Sequence, residues 1–247
     1  MDYGIQLYSV RDFCDTDMDY AFSRLREFGY KFVEFENFYG NSASELKALL
    51  EKWSLGVAGA HIGASELNEN YDAVVAYNKE LGNDTLVINA FDMEDAETVD
   101  SLVDFINHYL PKLKSDGMNL LYHNHYGEFE KNKDGVVAFD EIVNRTEIGL
   151  EIDVCWAAYA KKDVLSMLDT YKGRVKLVHM KDLSEDKKPV ALGKGTLALR
   201  DYIDKCLEYD IPMLVECESM SPDGISESKV CYKYYKKYQA ESEEKNA

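Results

Sequence analysis

Two rhythms of apolar and polar positions take turns along the chain. Short apolar runs, "YGIQLY" (3–8), "KFVEF" (31–35), "GVAGAHI" (56–62), "TLVIN" (85–89), "MNLLYHNH" (118–125), "IGLEIDV" (148–154), "VKLVHM" (175–180) and "MLVEC" (213–217), have the length and composition of buried strands. Between them lie stretches of helical period, at 17–28, 43–53, 66–80, 95–115, 137–144, 161–169, 197–208 and 225–238. In "TDMDYAFSRLREFGY", for example, Met18, Ala21, Phe22, Leu25 and Phe28 recur on one helical face until Gly29 stops the run. Gly56, Gly82, Gly117 and Gly173 punctuate other helix ends in the same way. Eight βα units without a low-complexity linker predict a closed (β/α)8 TIM barrel, an α/β fold in one domain over 1–247. A doubly wound nucleotide-binding sheet would carry glycines after its first strand, and "YSVRDFCD" has none. Only "KDLSEDKKPVALGKG" (181–195) lacks a clear element.

Composition narrows the function. At 247 residues, 46% of them hydrophobic, the chain can fill a barrel core. Its formal charge of -18 would repel a phosphate backbone, which disfavours nucleic acid. No run is apolar enough for a membrane span and no signal peptide is evident, so a cytoplasmic protein is expected. Cys14, Cys155, Cys206, Cys217 and Cys231 are odd in number and lack a CxxC spacing, which fits reduced thiols. A homo-oligomer is compatible with all of this.

Barrel enzymes gather their chemistry at the C-terminal ends of the strands. Polar residues collect there: Glu34 and Glu36 on the second predicted strand, His61 on the third, His123 and His125 on the fifth, Glu151 and Asp153 on the sixth, His179 followed by Lys181 on the seventh, Glu216 and Glu218 on the eighth. Imidazoles and carboxylates around one mouth suit a divalent metal ion, Mn²⁺, Mg²⁺, Co²⁺ or Zn²⁺, and the scattered cysteines argue against a thiolate site. Taken singly, Asp153 could be a cap, His179 a packed core histidine and Glu216 an ion-pair partner of Lys181. Strand alternation sends His123 and His125 to one side and Asn124 to the other, so both imidazoles are expected to face the barrel axis and approach Glu216 and His179.

These motifs, with "GIQLYSVRD" (4–12), "YHNHYGEF" (122–129), "LEIDVCWA" (150–157), "VKLVHMKD" (175–182), "LGKG" (192–195) and "MLVECES" (213–219), resemble the sugar phosphate isomerase/epimerase family of xylose-isomerase-like TIM barrels over essentially the whole chain. That group also contains inosose dehydratases and an endonuclease branch. The resemblance implies one divalent ion on Asp153, His179 and Glu216. The family's fourth ligand, a glutamate ending the fifth strand, has no counterpart, and His123 stands in its place. Because the epimerases use that glutamate and the eighth-strand glutamate as a proton-exchanging pair, the departure bears directly on the reaction.

The resulting expectation is a metal-dependent isomerase or epimerase acting on a small sugar, sugar phosphate or keto-polyol, with His123 and Glu216 catalytic and His123, Asp153, His179 and Glu216 as ligands. Dehydration of a keto sugar or keto-polyol, and a carbohydrate-binding barrel without chemistry, are the alternatives. Glu34, His61, His125, Trp156 and Lys181 are the expected substrate contacts, with Arg11 as an anion contact and "LGKG" as a nest of backbone donors that either binds an anion or only shapes a turn.

Overall fold

The computed structural model describes residues 3–89 and 91–246. Its strands are β1 Gly4–Gln6, β2 Phe32–Phe35, β3 Gly56–His61, β4 Thr85–Ile88, β5 Asn119–His123, β6 Gly149–Asp153, β7 Val175–Met180, β8 Asp182–Leu183, β9 Pro189–Val190 and β10 Met213–Val215. Eight of them close in the order β1-β10-β7-β6-β5-β4-β3-β2, every pair parallel, as the alternating rhythm predicts for a (β/α)8 barrel. β8 and β9 form a separate antiparallel ribbon in the stretch where the sequence showed no element.

Helix signals in the sequence mark the observed ends. Ser42 and Glu45 build a reciprocal cap for helix Ala43–Trp53, and Asp95 with Thr98 does so for Ala96–Ser115. Gly29 and Gly82 close their helices at φ 116° and 86°, where a side chain would be strained. Gly56 differs from expectation, since it opens β3 and leaves Ser54 to take the left-handed turn at φ 51°. The last helix runs over Gly224–Asn246, further than the apolar pattern indicated.

Alternation along each strand divides the interior. Ile5, Val33, Leu86, Leu120, Leu150, Val178 and Val215 join the apolar helix faces in one core outside the barrel wall. The opposite faces line the lumen, whose lower part is plugged by Val87, Leu121, Leu177 and Leu214, with Phe32 and Ala58 against them. Gly4 and Gly149 make room for this plug, because a Cβ at Gly4 would overlap the Phe32 ring and Leu214, and one at Gly149 would overlap Leu121. One layer higher the lumen turns polar, with Gln6, Glu34, His61, Glu151, Asp153, His179 and Lys181 all buried. Burying so many charged groups is unfavourable unless they are paired or bind an ion.

Candidate active site

Each polar lumen residue is delivered by a strand end, and the two carboxylates nearest the plug act as hubs. Glu151 Oε2 lies 2.9 Å from His123 Nδ1 and 3.1 Å from His61 Nε2, while its Oε1 lies 3.3 Å from His179 Nε2. Glu34 Oε2 accepts from Gln6 Nε2 at 2.7 Å and meets His179 Nε2 at 2.6 Å. His179 Nδ1 reaches Glu216 Oε2 at 2.9 Å, and Asn89 Nδ2 meets His61 Nδ1 at 2.9 Å. The imidazoles therefore sit in a ring of carboxylates, with the His123 and His179 centroids 4.6 Å apart.

Lys181 completes the ring from above. Its ammonium stands 3.0 Å from Asp153 Oδ2 and 2.9 Å from Glu216 Oε2, and also bonds Glu218. Its side chain does not pair with neighbouring Asp182. Asp153 ends β6 and caps the helix Val154–Tyr159 that follows, its Oδ1 accepting from Trp156 N at 2.7 Å. One oxygen of Asp153 thus serves the cap, and the other faces Lys181. Glu216 likewise both pairs with Lys181 and stands among the imidazoles.

Burial and charge compete at every group. Burial alone would raise Glu151, but His179, His123 and His61 outweigh it and hold its carboxyl well below the usual range. Burial opposes the charged form of His61 as well, yet Glu34 and Glu151 push its pKa up to about 10. His123 goes the other way: burial, only partly offset by Glu151, pulls it down to about 4 and leaves a neutral imidazole near neutral pH. Lys181 is held well above its ordinary value against burial by Asp153, Glu216 and Glu218.

The "HNH" run is resolved by alternation. His123 points into the lumen and is buried, whereas the strand ends there and His125 lies on the rim with its side chain 43% exposed, its ring 6.3 Å from that of Trp156. The expectation that both imidazoles approach Glu216 and His179 thus holds for His123 alone. Asn124 turns to the neighbouring strand, where its amide accepts from Asp153 N at 3.2 Å and donates to Asp153 O at 3.3 Å.

Above this ring opens a cavity of about 290 Å³ lined by Gln6, Tyr8, Glu36, His61, Asn89, His123, His125, Trp156, Glu216 and Glu218. Glu34 and Lys181, expected as substrate contacts, lie behind this surface, fully buried among the groups they hold. Arg11 stacks on the Tyr8 ring and lies outside the lining. The backbone donors of "LGKG" are taken by the chain itself: Asp182 Oδ2 accepts from Gly193 N at 3.0 Å and Gly195 N at 2.8 Å, and Oδ1 from Leu197 N at 3.2 Å. That turn shapes the loop and is filled by a carboxylate. Asn89 was not singled out in the sequence, because an amide after an apolar run carries no signal of its own. Glu151 was seen only as a companion of Asp153, and its role as a hub depends on three histidines from other strands.

His123, Asp153, His179 and Glu216 each offer a ligand atom within 4.8 Å of the others, the four residues expected from sequence. His61, His123, Glu151 and His179 form an overlapping group. Asp153 Oδ2 and Glu151 Oε1 are buried without a well-formed hydrogen bond, facing the Lys181 ammonium at 3.0 Å and His179 Nε2 at 3.3 Å, so each keeps acceptor capacity within the cluster. Two imidazole nitrogens and two carboxylates are a donor set for Zn²⁺ or Mn²⁺, and the cluster is a divalent-metal site.

Fold and site together are those of a metal-binding TIM barrel, and the chain belongs to the xylose isomerase-like TIM barrel family, whose model matches residues 22–234. Among curated proteins it is 23% identical over 196 residues to an inosose dehydratase of Clostridium perfringens, covering 70% of this chain and 66% of that one. The chain thus spans just under two thirds of that relative's length. Among solved structures it is similar to a sugar phosphate isomerase/epimerase from Parabacteroides distasonis, with a TM-score of 0.82 at 20% identity over 94% of this chain and 92% of the other. It is also similar to an IolI protein with a bound zinc atom, with a TM-score of 0.76 at 14% identity over 96% and 98% of the two chains. No helix among the described residues is long and apolar enough to cross a membrane.

Proposed function

We propose that the protein is a metal-dependent lyase that dehydrates a neutral keto sugar or keto-polyol. The observation that carries this reading is the mixed lining of the cavity, which sets the imidazoles of His61, His123 and His125 beside the carboxylates of Glu36, Glu216 and Glu218 instead of a matched pair of glutamates. Exchange of a proton between two faces of one carbon is served by a matched pair of bases, whereas elimination needs one group to take a proton from carbon and another to give one to oxygen. The lining contains no lysine or arginine, which favours an uncharged substrate over a phosphorylated one. The dehydratase relatives support the same direction.

Asp153, His179 and Glu216 would hold the ion, leaving the fourth member of the cluster, His123, for proton transfer, and the bound ion would supply the Lewis acidity that polarises a carbonyl and acidifies the adjacent C–H. His123 takes the carbon-bound proton at Nε2, since its Nδ1 is fixed on Glu151 and its ring lines the cavity. As the β C–O bond breaks, the His125 imidazole delivers a proton to the departing hydroxyl, so water leaves and an α,β-unsaturated ketone remains. Trp156 offers its ring face to the sugar, and Gln6, Glu36 and Asn89 bond hydroxyls. Glu34 and Lys181 act from behind, orienting His179 and holding Glu216 ionised.

Isomerisation or epimerisation is the second reading, favoured by the close structural match to a sugar phosphate isomerase/epimerase. Incubation with Mn²⁺ and a panel of keto sugars and keto-polyols in deuterated water separates the two. Growth of an enone absorbance with release of water is the expected result. Deuterium incorporation without loss of water overturns dehydration, and neither signal with any substrate overturns the enzymatic reading.

A further inference from the structure

A second chamber opens beside the site. It has about 380 Å³ and is lined by Glu36, Asn37, Phe38, Tyr39, Gly40, His61, Ile62, Gly63, Glu66 and Asn89. Glu36, His61 and Asn89 also line the first cavity, so the two spaces adjoin at these three residues, beside the loops that follow β2 and β3. We infer that this chamber is a second sugar subsite, and that the natural substrate is a two-ring glycoside with its reacting ring over the metal cluster and its second ring between Phe38 and Glu66.

Chemistry, volume and rigidity each support the assignment. The lining offers carboxylates from Glu36 and Glu66, amides from Asn37 and Asn89, and the ring of Phe38, which suits the hydroxyls and the apolar face of a neutral sugar. No lysine or arginine lines it, which argues against phosphate or nucleotide. The first cavity sits at the small end of ligand pockets, ~300 Å³, and holds one ring; the adjoining space is larger than the site itself.

The loop forming the chamber is pre-built. Tyr39 and Gly40 both take left-handed backbone, at φ 51° and 73°, and are held there by Tyr39 N on Asn37 Oδ1 at 2.6 Å and by Asn41 Nδ2 on Phe38 O at 3.0 Å. Phe38 packs on Tyr77 with centroids 4.3 Å apart, and Tyr77 donates to Asn41 O at 2.7 Å. Strained, well-bonded backbone of this kind is found where a loop has a shape to keep. Gly63 contributes the remaining space. Its φ of -71° suits any residue, and a Cβ there meets nothing nearer than 3.8 Å, so the lack of a side chain is not a backbone requirement.

The inference deepens the proposed carbohydrate chemistry and rests on that reading for its substrate class, while its test reads binding. The zinc-loaded full-length protein is titrated, by calorimetry and Trp fluorescence, with glucose and myo-inositol, and with the disaccharides cellobiose, maltose and trehalose. At least one disaccharide is expected to bind about tenfold or more tightly than either single-ring compound. Gly63→Phe fills the chamber without backbone strain and is expected to abolish that advantage with single-ring binding unchanged, and Glu66→Ala to reduce it severalfold. Equal affinity for one and two rings, or an advantage that survives Gly63→Phe, overturns the subsite. Failure of the dehydration assay together with a disaccharide advantage lost in Gly63→Phe would leave the subsite standing and remove only the reaction.

Discussion

Lys181 Nζ stands 2.9 Å from Glu216 Oε2, inside a barrel where that carboxylate also faces His179. A fixed ammonium thus shares its counter-charges with any ion held by Asp153 and Glu216. Lys181→Met leaves those carboxylates unneutralised, and the metal-free protein is expected to lose about 3–5 kcal/mol of stability. In the same variant Mn²⁺ affinity should rise by about tenfold or more, because a competing cation has gone. Urea unfolding and metal titration of the variant check both; unchanged metal affinity would show that Lys181 and the ion do not compete.

Glu151 locks His123 Nδ1, which leaves the other ring nitrogen for substrate. His123→Ala is expected to abolish turnover while metal content stays near that of the native protein, and His125→Ala mainly to lower kcat, by about 100-fold or more, with KM little changed. Loss of the ion from His123→Ala would make that imidazole a ligand and move the base elsewhere.

The turn 192–195 is fastened by Asp182, and at Gly195 a Cβ would overlap the Asp182 carboxylate and Leu183 O. Gly195→Ala should therefore cost about 1–3 kcal/mol by overpacking, and Asp182→Asn a similar amount through weakened bonds to the amides. Because those amides are occupied, sulfate or phosphate should not raise Tm through this loop. An anion-dependent rise that disappears in Gly195→Ala would contradict the arrangement.

All five cysteines are buried and free. Burial raises the Cys14 and Cys155 thiols, assisted by nearby carboxylates. Alkylation of the native protein by iodoacetamide at pH 8 should be negligible until unfolding, with the modification rate following the urea transition. Rapid labelling of any cysteine below that transition would indicate local opening not evident in the packing.

The βα rhythm was legible because each strand buries its outer face and each helix its inner one, so periodicity alone located every barrel strand. Where an element is too short to show a period, the sequence was silent: Leu7–Val10 forms a turn in what reads as the end of a strand, and Val154–Tyr159 forms a short helix begun by Asp153. The metal cluster was legible because its members each follow an apolar run on a different strand. The hubs were not, since nothing near Glu34 in sequence indicates His179, 145 residues away. The filled nest was missed for a similar reason. A glycine-bounded turn shows that backbone donors are available, and only the three-dimensional course of the chain shows that Asp182 has taken them.

The run His179–Met180–Lys181–Asp182 assigns a different partner to each of four consecutive residues: the carboxylate ring, the outer core, the Asp153–Glu216 pair and the amides of the following turn. Strand geometry reverses facing with every residue, so inserting or deleting one position here would exchange all four partners at once. This segment can change by substitution but hardly by length. The tip at 185–188 has exposed side chains, and the barrel can accept extra residues there without touching that spacing. Lineages that diverge in this loop should therefore vary in its length from Ser184 onward and stay constant in the count of residues between His179 and Asp182.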